Sequence, residues 1–190
     1  TWETVSTLAN KNDQIVVTKN LVNGGMWNAI HKGFRLVNGT YVTFLPADGE
    51  FSIDETMRLL ENATDVDIVV SSRHTQDQKI QKKVRPWFRE IISLCHRIMV
   101  RVFLNFDIKG TEGLFLFRWN SFKHICLRNR RDNIIYLEIL SYALSGKMKI
   151  KRITTYYSIR RSGKSKALGL KNIIKTSVEL ISLALKMKIS

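Results

Sequence analysis

Two short runs rich in β-branched and aromatic residues, Tyr41-Val42-Thr43-Phe44-Leu45 and Asp67-Ile68-Val69-Val70-Ser71, flank a stretch with helical signals. Pro46 stops the first run, since its ring lacks the N–H that a ladder needs. Ser52 opens the intervening stretch with Glu55 three residues on, the spacing of a capping box, and predicts a helix through Asn62. Strand, helix and strand in this order imply a mostly parallel sheet covered by helices, so the expected fold class is α/β. Upstream, Gln14–Thr18 reads as a further short strand and Met26–Val37 as a helix.

The second half has a different texture. Trp87 to Phe106 repeats like a long helix, with Trp87, Ile91, Leu94, Cys95, Ile98 and Val102 along one face. Arg89, Ser93, Arg97 and Arg101 recur along another. Helices are expected over Trp119–Leu127 and Tyr136–Leu144, the latter ended by Gly146. Lys149–Tyr157 alternates like a strand. A basic loop follows, Arg160-Arg161-Ser162-Gly163-Lys164-Ser165-Lys166, and then an amphipathic helix over residues 168–188. No run reaches the ~18 uncharged apolar residues of a membrane span. The 87–106 and 168–188 helices, with basic residues beside apolar ones, suit either the plane of a membrane interface or a core-facing helix with a wet side.

Charge divides the chain at the same place. Residues 1–72 carry five Lys/Arg against nine Asp/Glu, a net of −4. The remaining residues carry 26 against seven, a net of +19. A basic half of this kind faces phosphates or an anionic membrane surface. Nucleic acid would require aromatic side chains interleaved with Lys/Arg, and Tyr156-Tyr157 beside Arg160-Arg161 is the single such cluster, so no nucleic-acid partner is expected. Cys95 and Cys126 form no CxxC or Cys/His cluster, which argues against zinc and for reduced core thiols. His31, His74, His96 and His124 are scattered and receive no role. Gly163-Lys164-Ser165 lacks the upstream glycine of a phosphate-binding P-loop, because Ser158 stands there.

Asp48 and Glu50 are the pair that can carry chemistry. They follow a strand, at the sheet edge where ligands of open α/β folds bind. Two carboxylates two residues apart can both reach one hard cation, Mg²⁺ or Mn²⁺, that also bridges substrate phosphates. Alone, the triplet reads more readily as an ordinary turn.

The residues around it change that balance. Asn23-Gly24-Gly25, Ala29, Gly33, Gly39 and Tyr41-Val42-Thr43-Phe44-Leu45-Pro46-Ala47-Asp48-Gly49 resemble family 2 glycosyltransferases of the GT-A fold, in which an N-x-G-x-x-x-A-x-x-x-G helix leads to a strand ending in D-A-D-G. Val66-Asp67-Ile68-Val69-Val70-Ser71-Ser72-Arg73 is similar to the family's "ADIVVGSR" strand and turn. Four further matches resemble the polyprenyl-phosphate sugar transferases, the group that includes dolichyl-phosphate mannose synthase. They are Arg89-x-x-x-Ser93, Asp107 ahead of Thr111-Glu112-Gly113-Leu114-Phe115, Glu138-Ile139-Leu140, and Arg160-x-x-Gly163-Lys164-Ser165-Lys166. Two departures stand out. Pro46 replaces the first acid of D-x-D, leaving Glu50 at the third position. The family's opening V-I-P-x-Y-N-E and D-D-G-S-x-D-x-T segments are not seen, and Thr1 falls where the last Thr of the second belongs.

The resemblance implies an N-terminally truncated GT-A domain over residues 1–167, first βα unit missing, and a basic amphipathic helix over 168–190. It implies an inverting transfer of sugar from a nucleotide-diphosphate sugar to a polyprenyl phosphate, on the cytoplasmic face of a membrane. Asp48 and Glu50 would hold Mg²⁺ or Mn²⁺; Asn23, Gly25, Asp48 and Glu50 the donor; Arg73, Arg89, Ser93, Arg160, Ser165 and Lys166 the acceptor phosphate. Asp48 and Arg73 are the catalytic candidates. The acceptor phosphate is already nucleophilic, so positioning and charge neutralisation suffice. Transfer to a glycan or lipopolysaccharide hydroxyl instead would need a general base, Asp107 or Glu112, and an inactive family member is a further alternative. Oligomeric state stays open, a homo-oligomer included.

Overall fold

The computed structural model describes residues 2–22, 24–74, 94–95, 97–102, 107, 111, 113–125, 134–158, 176–183 and 185, with Arg73 and His74 described in their backbone only. In chain order the elements are α1 (Trp2–Ala9), α2 (Gly25–Phe34), β1 (Tyr41–Thr43), α3 (Ile53–Glu61), β2 (Ile68–His74), β3 (Phe115–Arg118), α4 (Trp119–Phe122), α5 (Ile135–Ser145) and β4 (Ile150–Tyr156). Residues 97–102 and 176–183 are also helical.

The four strands form one sheet in the order β1-β3-β2-β4. β3 is antiparallel to both β1 and β2, and β2 is parallel to β4. Three strands therefore point one way and β3 alone points back. β3 is the strand that the sequence pattern missed, because Phe115-Leu116-Phe117 is apolar throughout rather than alternating. The structure explains the run, since both faces of β3 are buried.

One face carries Ile68, Val70, Phe115 and Phe117 and packs under Trp27 and Ile30 of α2, Phe122 of α4, and Ile135, Ile139, Leu140 and Ala143 of α5. Phe117 is its centre, fully buried, with ring centroids of Phe122 at 4.6 Å and of Phe34 and Phe44 at 5.9 Å. The other face carries Val69, Leu114 and Leu116 and packs under Leu59 of α3, Ala63 just beyond that helix, and Phe51. A third cluster joins Val100, Ile134, Leu137, Leu180 and Leu183, so the helical segments at 97–102 and 176–183 meet the start of α5.

Several sequence expectations are corrected. Gln14–Thr18 is not a strand; among the described residues it has no ladder partner, Val16 is exposed, and β-branched residues favour a strand only when a neighbour is there to pair with. α1, which the pattern did not suggest, contains no buried residue. Ser52 precedes α3 without a side-chain capping bond, and Glu55 turns instead to Arg58, 3.0 Å away. α4 is shorter than expected, with a turn at Lys123-His124. α5 ends at Gly146 as expected, and the chain reverses through Lys147 at φ 51°. Along 94–102, Leu94, Cys95, Ile98 and Val102, expected on the apolar face, are exposed, whereas Val100 is buried. The helix therefore turns a different side to the core. Cys95 is a free thiol at the surface rather than in the core, and Cys126 lies outside the described residues.

Candidate functional site

β1, β2 and β4 share a direction, so their C-terminal ends, Thr43, His74 and Tyr156, lie along one edge of the sheet. β3 runs the other way and delivers its N-terminal end, Phe115, to that edge. α2 precedes β1 through a short connection and packs Trp27 and Ile30 against the sheet.

The segment Pro46–Glu50 leaves this edge after β1. Asp48 Oδ1 accepts the Glu50 N–H at 3.1 Å, an Asx turn that brings the two acidic residues onto one tight bend. Gly49 between them has φ +73°, a left-handed conformation that glycine adopts without cost. The bend is fastened from the other side of the sheet, where Ser158 donates its N–H to the Glu50 carbonyl at 2.8 Å. Phe51, buried beneath the bend, meets the Tyr157 ring at 6.5 Å. The acidic loop and the exit of β4 are thus one unit. Beyond that exit the sequence becomes strongly basic, at 160–166, outside the described residues.

Arg73 is the penultimate residue of β2, its backbone in register with Thr155 of β4. Gly25 begins α2. Asn23, Arg89, Ser93, Glu112, Arg160, Ser165 and Lys166 lie outside the described residues. Asp107 is exposed, and its carbonyl accepts a bond from Arg152 Nη2 at 3.0 Å. The structure therefore joins Asp48 to the Glu50 backbone in one bend and places the Arg73 backbone near the end of β2, at the same edge.

Sequence reasoning missed a polar knot at this edge. Ser71 and Thr155 are both fully buried, with hydroxyl oxygens 2.9 Å apart. Ser71 Oγ accepts the Leu114 N–H at 2.7 Å. Gly113 donates its N–H to the Ser71 carbonyl at 2.7 Å, and a Cβ on Gly113 would come within 2.8 Å of that oxygen. The signal was present: Ser71 stands where the "ADIVVGSR" pattern has glycine, a hydroxyl inside an apolar strand.

At the opposite edge, Asp67 holds the frame. Its carboxylate is kept below its ordinary value, first by the Ser121 hydroxyl and then by the Lys149 N–H.

Among the described residues, no group of three or more His, Cys, Asp or Glu side chains could enclose a metal. The donor set at the bend is two carboxylates, which fits an ion that takes its remaining ligands from phosphates and water rather than from a protein cage.

The sequence model of "Glycosyl transferase family 2" matches residues 1–134. The chain belongs to that family. No curated protein matches it. The helix-flanked sheet, with three strands in one direction and one reversed, is consistent with the family's GT-A fold, and membership supports glycosyl transfer as the general chemistry. Family 2 transferases bind nucleotide sugars and acceptors, and members often use divalent metals. Among the described residues, no helix is long and apolar enough to cross a membrane.

Proposed function

We propose that this family 2 transferase moves a sugar from a nucleotide-diphosphate sugar to a polyprenyl phosphate, with inversion, on the cytoplasmic face of a membrane. The observation that carries the reading is the Asp48–Glu50 bend, fastened to the exit of β4 just before a strongly basic segment. Acidic ligands for a phosphate-bridging cation and basic residues for phosphate oxygens then meet at one edge.

Asp48 and Glu50 would hold Mg²⁺ or Mn²⁺, which when bound would neutralise charge on the departing diphosphate. Pro46 removes a third acid, so more of the diphosphate's charge falls to basic residues. Arg73, Arg89, Ser93, Arg160, Ser165 and Lys166 hold the acceptor phosphate, with arginine's planar fork matched to its oxygens. Asn23 and Gly25 support the donor. The acceptor oxygen is already anionic, so the protein's task is alignment.

Residues 1–167 form the transferase domain in this reading, and 168–190 the helix that rests on the bilayer. Leu180 and Leu183 pack inward, while Val178, Ile181 and Leu185 are exposed. Leu94, Ile98 and Val102, with Arg101 also exposed, add a second apolar row beside positive charge.

The test uses the full protein with Mg²⁺, a panel of labelled nucleotide sugars and short-chain polyprenyl phosphates. Labelled lipid product, lost on Asp48→Ala, is expected. Absence of product, or a product rate indifferent to Asp48→Ala, rejects the reading. The hydroxyl-acceptor alternative draws on Asp107, tethered through its backbone to Arg152, as the base. In that case product forms on sugar acceptors and not on the lipid.

A further inference from the structure

Three strands end at the site edge and one starts from it. The strand that starts there, β3, begins at Phe115 opposite Val70, and the residues before it are held to the sheet only if something extends the pairing. Ser71 extends it. Its N–H donates to the Leu114 carbonyl at 3.0 Å, and its carbonyl accepts from Gly113.

The hydroxyls then complete the pairing in an ordered chain. Thr155 Oγ1 donates to the Ser72 carbonyl at 3.2 Å. Thr155 Oγ1 and Ser71 Oγ lie 2.9 Å apart, in hydrogen-bond contact. Ser71 Oγ in turn accepts the Leu114 N–H at 2.7 Å. The Leu114 carbonyl, 3.0 Å from the same hydroxyl, is already served by the Ser71 N–H. Both hydroxyls have hydrogen-bond partners, and a satisfied buried network of this kind rigidifies its surroundings. Its effect is to fix the backbone of residues 113–114 against β2 and β4. Leu114 shares a core cluster with Phe51, which underlies the acidic bend, so the fixed turn and the bend sit on one packed base.

We infer that Ser71 and Thr155 are positioning residues: their hydroxyl chain holds the entry to β3 in place beside the Asp48–Glu50 bend and thereby sets where the acceptor lies. This rests on the transferase reading above. Neither side chain need touch substrate. Thr155 lies in register with Arg73, two residues past Ser71 on β2, and Arg73 is a residue that the reading above gives to the acceptor phosphate. A family pattern with glycine at position 71 has no hydroxyl to offer, so the device is a feature of this chain.

The full protein is compared with Ser71→Ala, Thr155→Val and Thr155→Ser, each measured for KM toward nucleotide sugar and toward a short-chain polyprenyl phosphate or sugar acceptor, whichever the wild type uses. Ser71→Ala is expected to raise the acceptor KM roughly tenfold, the scale of a sub-ångström misplacement, while the donor KM moves less than twofold. Thr155→Val moves in the same direction by less, and Thr155→Ser restores wild-type values. Amide exchange at Leu114, measured alongside, quickens in Ser71→Ala. If donor and acceptor KM change together in step with the melting temperature, or if Thr155→Ser fails to restore the acceptor KM, the hydroxyls only support the fold and the inference is overturned. If Ser71→Ala does not fold, the Thr155→Val and Thr155→Ser pair decides by the same criterion. A wild-type protein that turns over no nucleotide sugar overturns the transferase reading itself, and the positioning role with it.

Discussion

Ser121 donates its hydroxyl to Asp67 Oδ1 at 2.6 Å, while Asp67 Oδ2 accepts the Lys149 N–H at 2.9 Å. One carboxylate therefore ties the start of β2 to α4 and to the residue before β4. The Ser121 bond is the main reason that its pKa lies below the ordinary 3.8, helped by the Lys149 N–H and opposed by burial. A carboxyl depressed in the folded state stabilises above its unfolded value and loses that contribution as pH falls through the folded value. The melting temperature is expected to drop as pH falls below about 4, and Ser121→Ala should shrink the part of that drop due to Asp67. Asp67→Ala should cost about 1 kcal/mol at neutral pH, at the low end for a charged bond because the site is partly solvated. Thermal melts from pH 7 to pH 3 check both.

Phe117 is fully buried at the centre of the aromatic face. Phe117→Ala removes a ring that Phe34, Phe44 and Phe122 all touch. A loss of about 3–5 kcal/mol is expected, enough to unfold a marginal domain, and urea titration would measure it.

Gly113→Ala places a methyl against the Ser71 hydroxyl and within 2.8 Å of the Ser71 carbonyl. The carbonyl belongs to a central strand and cannot yield, so overpacking of about 1–3 kcal/mol is expected. A fall in melting temperature is expected, whereas Gly33→Ala, inside α2 with no atom within 4 Å of the added carbon, should hold or raise it.

Pro46→Asp supplies the acid that the family pattern has at that position. The Asx turn at Asp48 and the tether from Ser158 do not involve Pro46, so the bend should survive. Affinity for Mn²⁺ is expected to rise by roughly tenfold, as for one added carboxylate ligand on a hard cation. Isothermal titration with Mn²⁺ in the presence of a nucleoside diphosphate measures it, and Asp48→Asn in the same background should abolish the gain.

Much of this was legible from the chain alone. Val69 and Val70 announced a strand buried on both faces, and Pro46 after Tyr41–Leu45 announced the loop that carries Asp48 and Glu50. β3 was not legible, because three consecutive apolar residues have no period to betray them. The exposed row at Leu94, Ile98 and Val102 could be recognised as a stripe but not assigned a direction, since inward and outward stripes are identical in sequence. Ser52 and Glu55 had the spacing of a capping box, yet Arg58 one turn on offered Glu55 a charged partner, and the ion pair prevailed. At the site, the Asp48–Glu50 bend was visible as a motif. The Ser71–Thr155 contact was not, because it joins residues 84 apart.

The placement of β3 also governs how the molecule comes apart. Phe115 and Phe117 belong to one packed layer and Leu116 to the other, and β2 divides its residues in the same way. Neither layer can melt while the other stays intact, because each loses half its lining when these two strands go. Heating should therefore give a single cooperative transition for the sheet and both its helical covers.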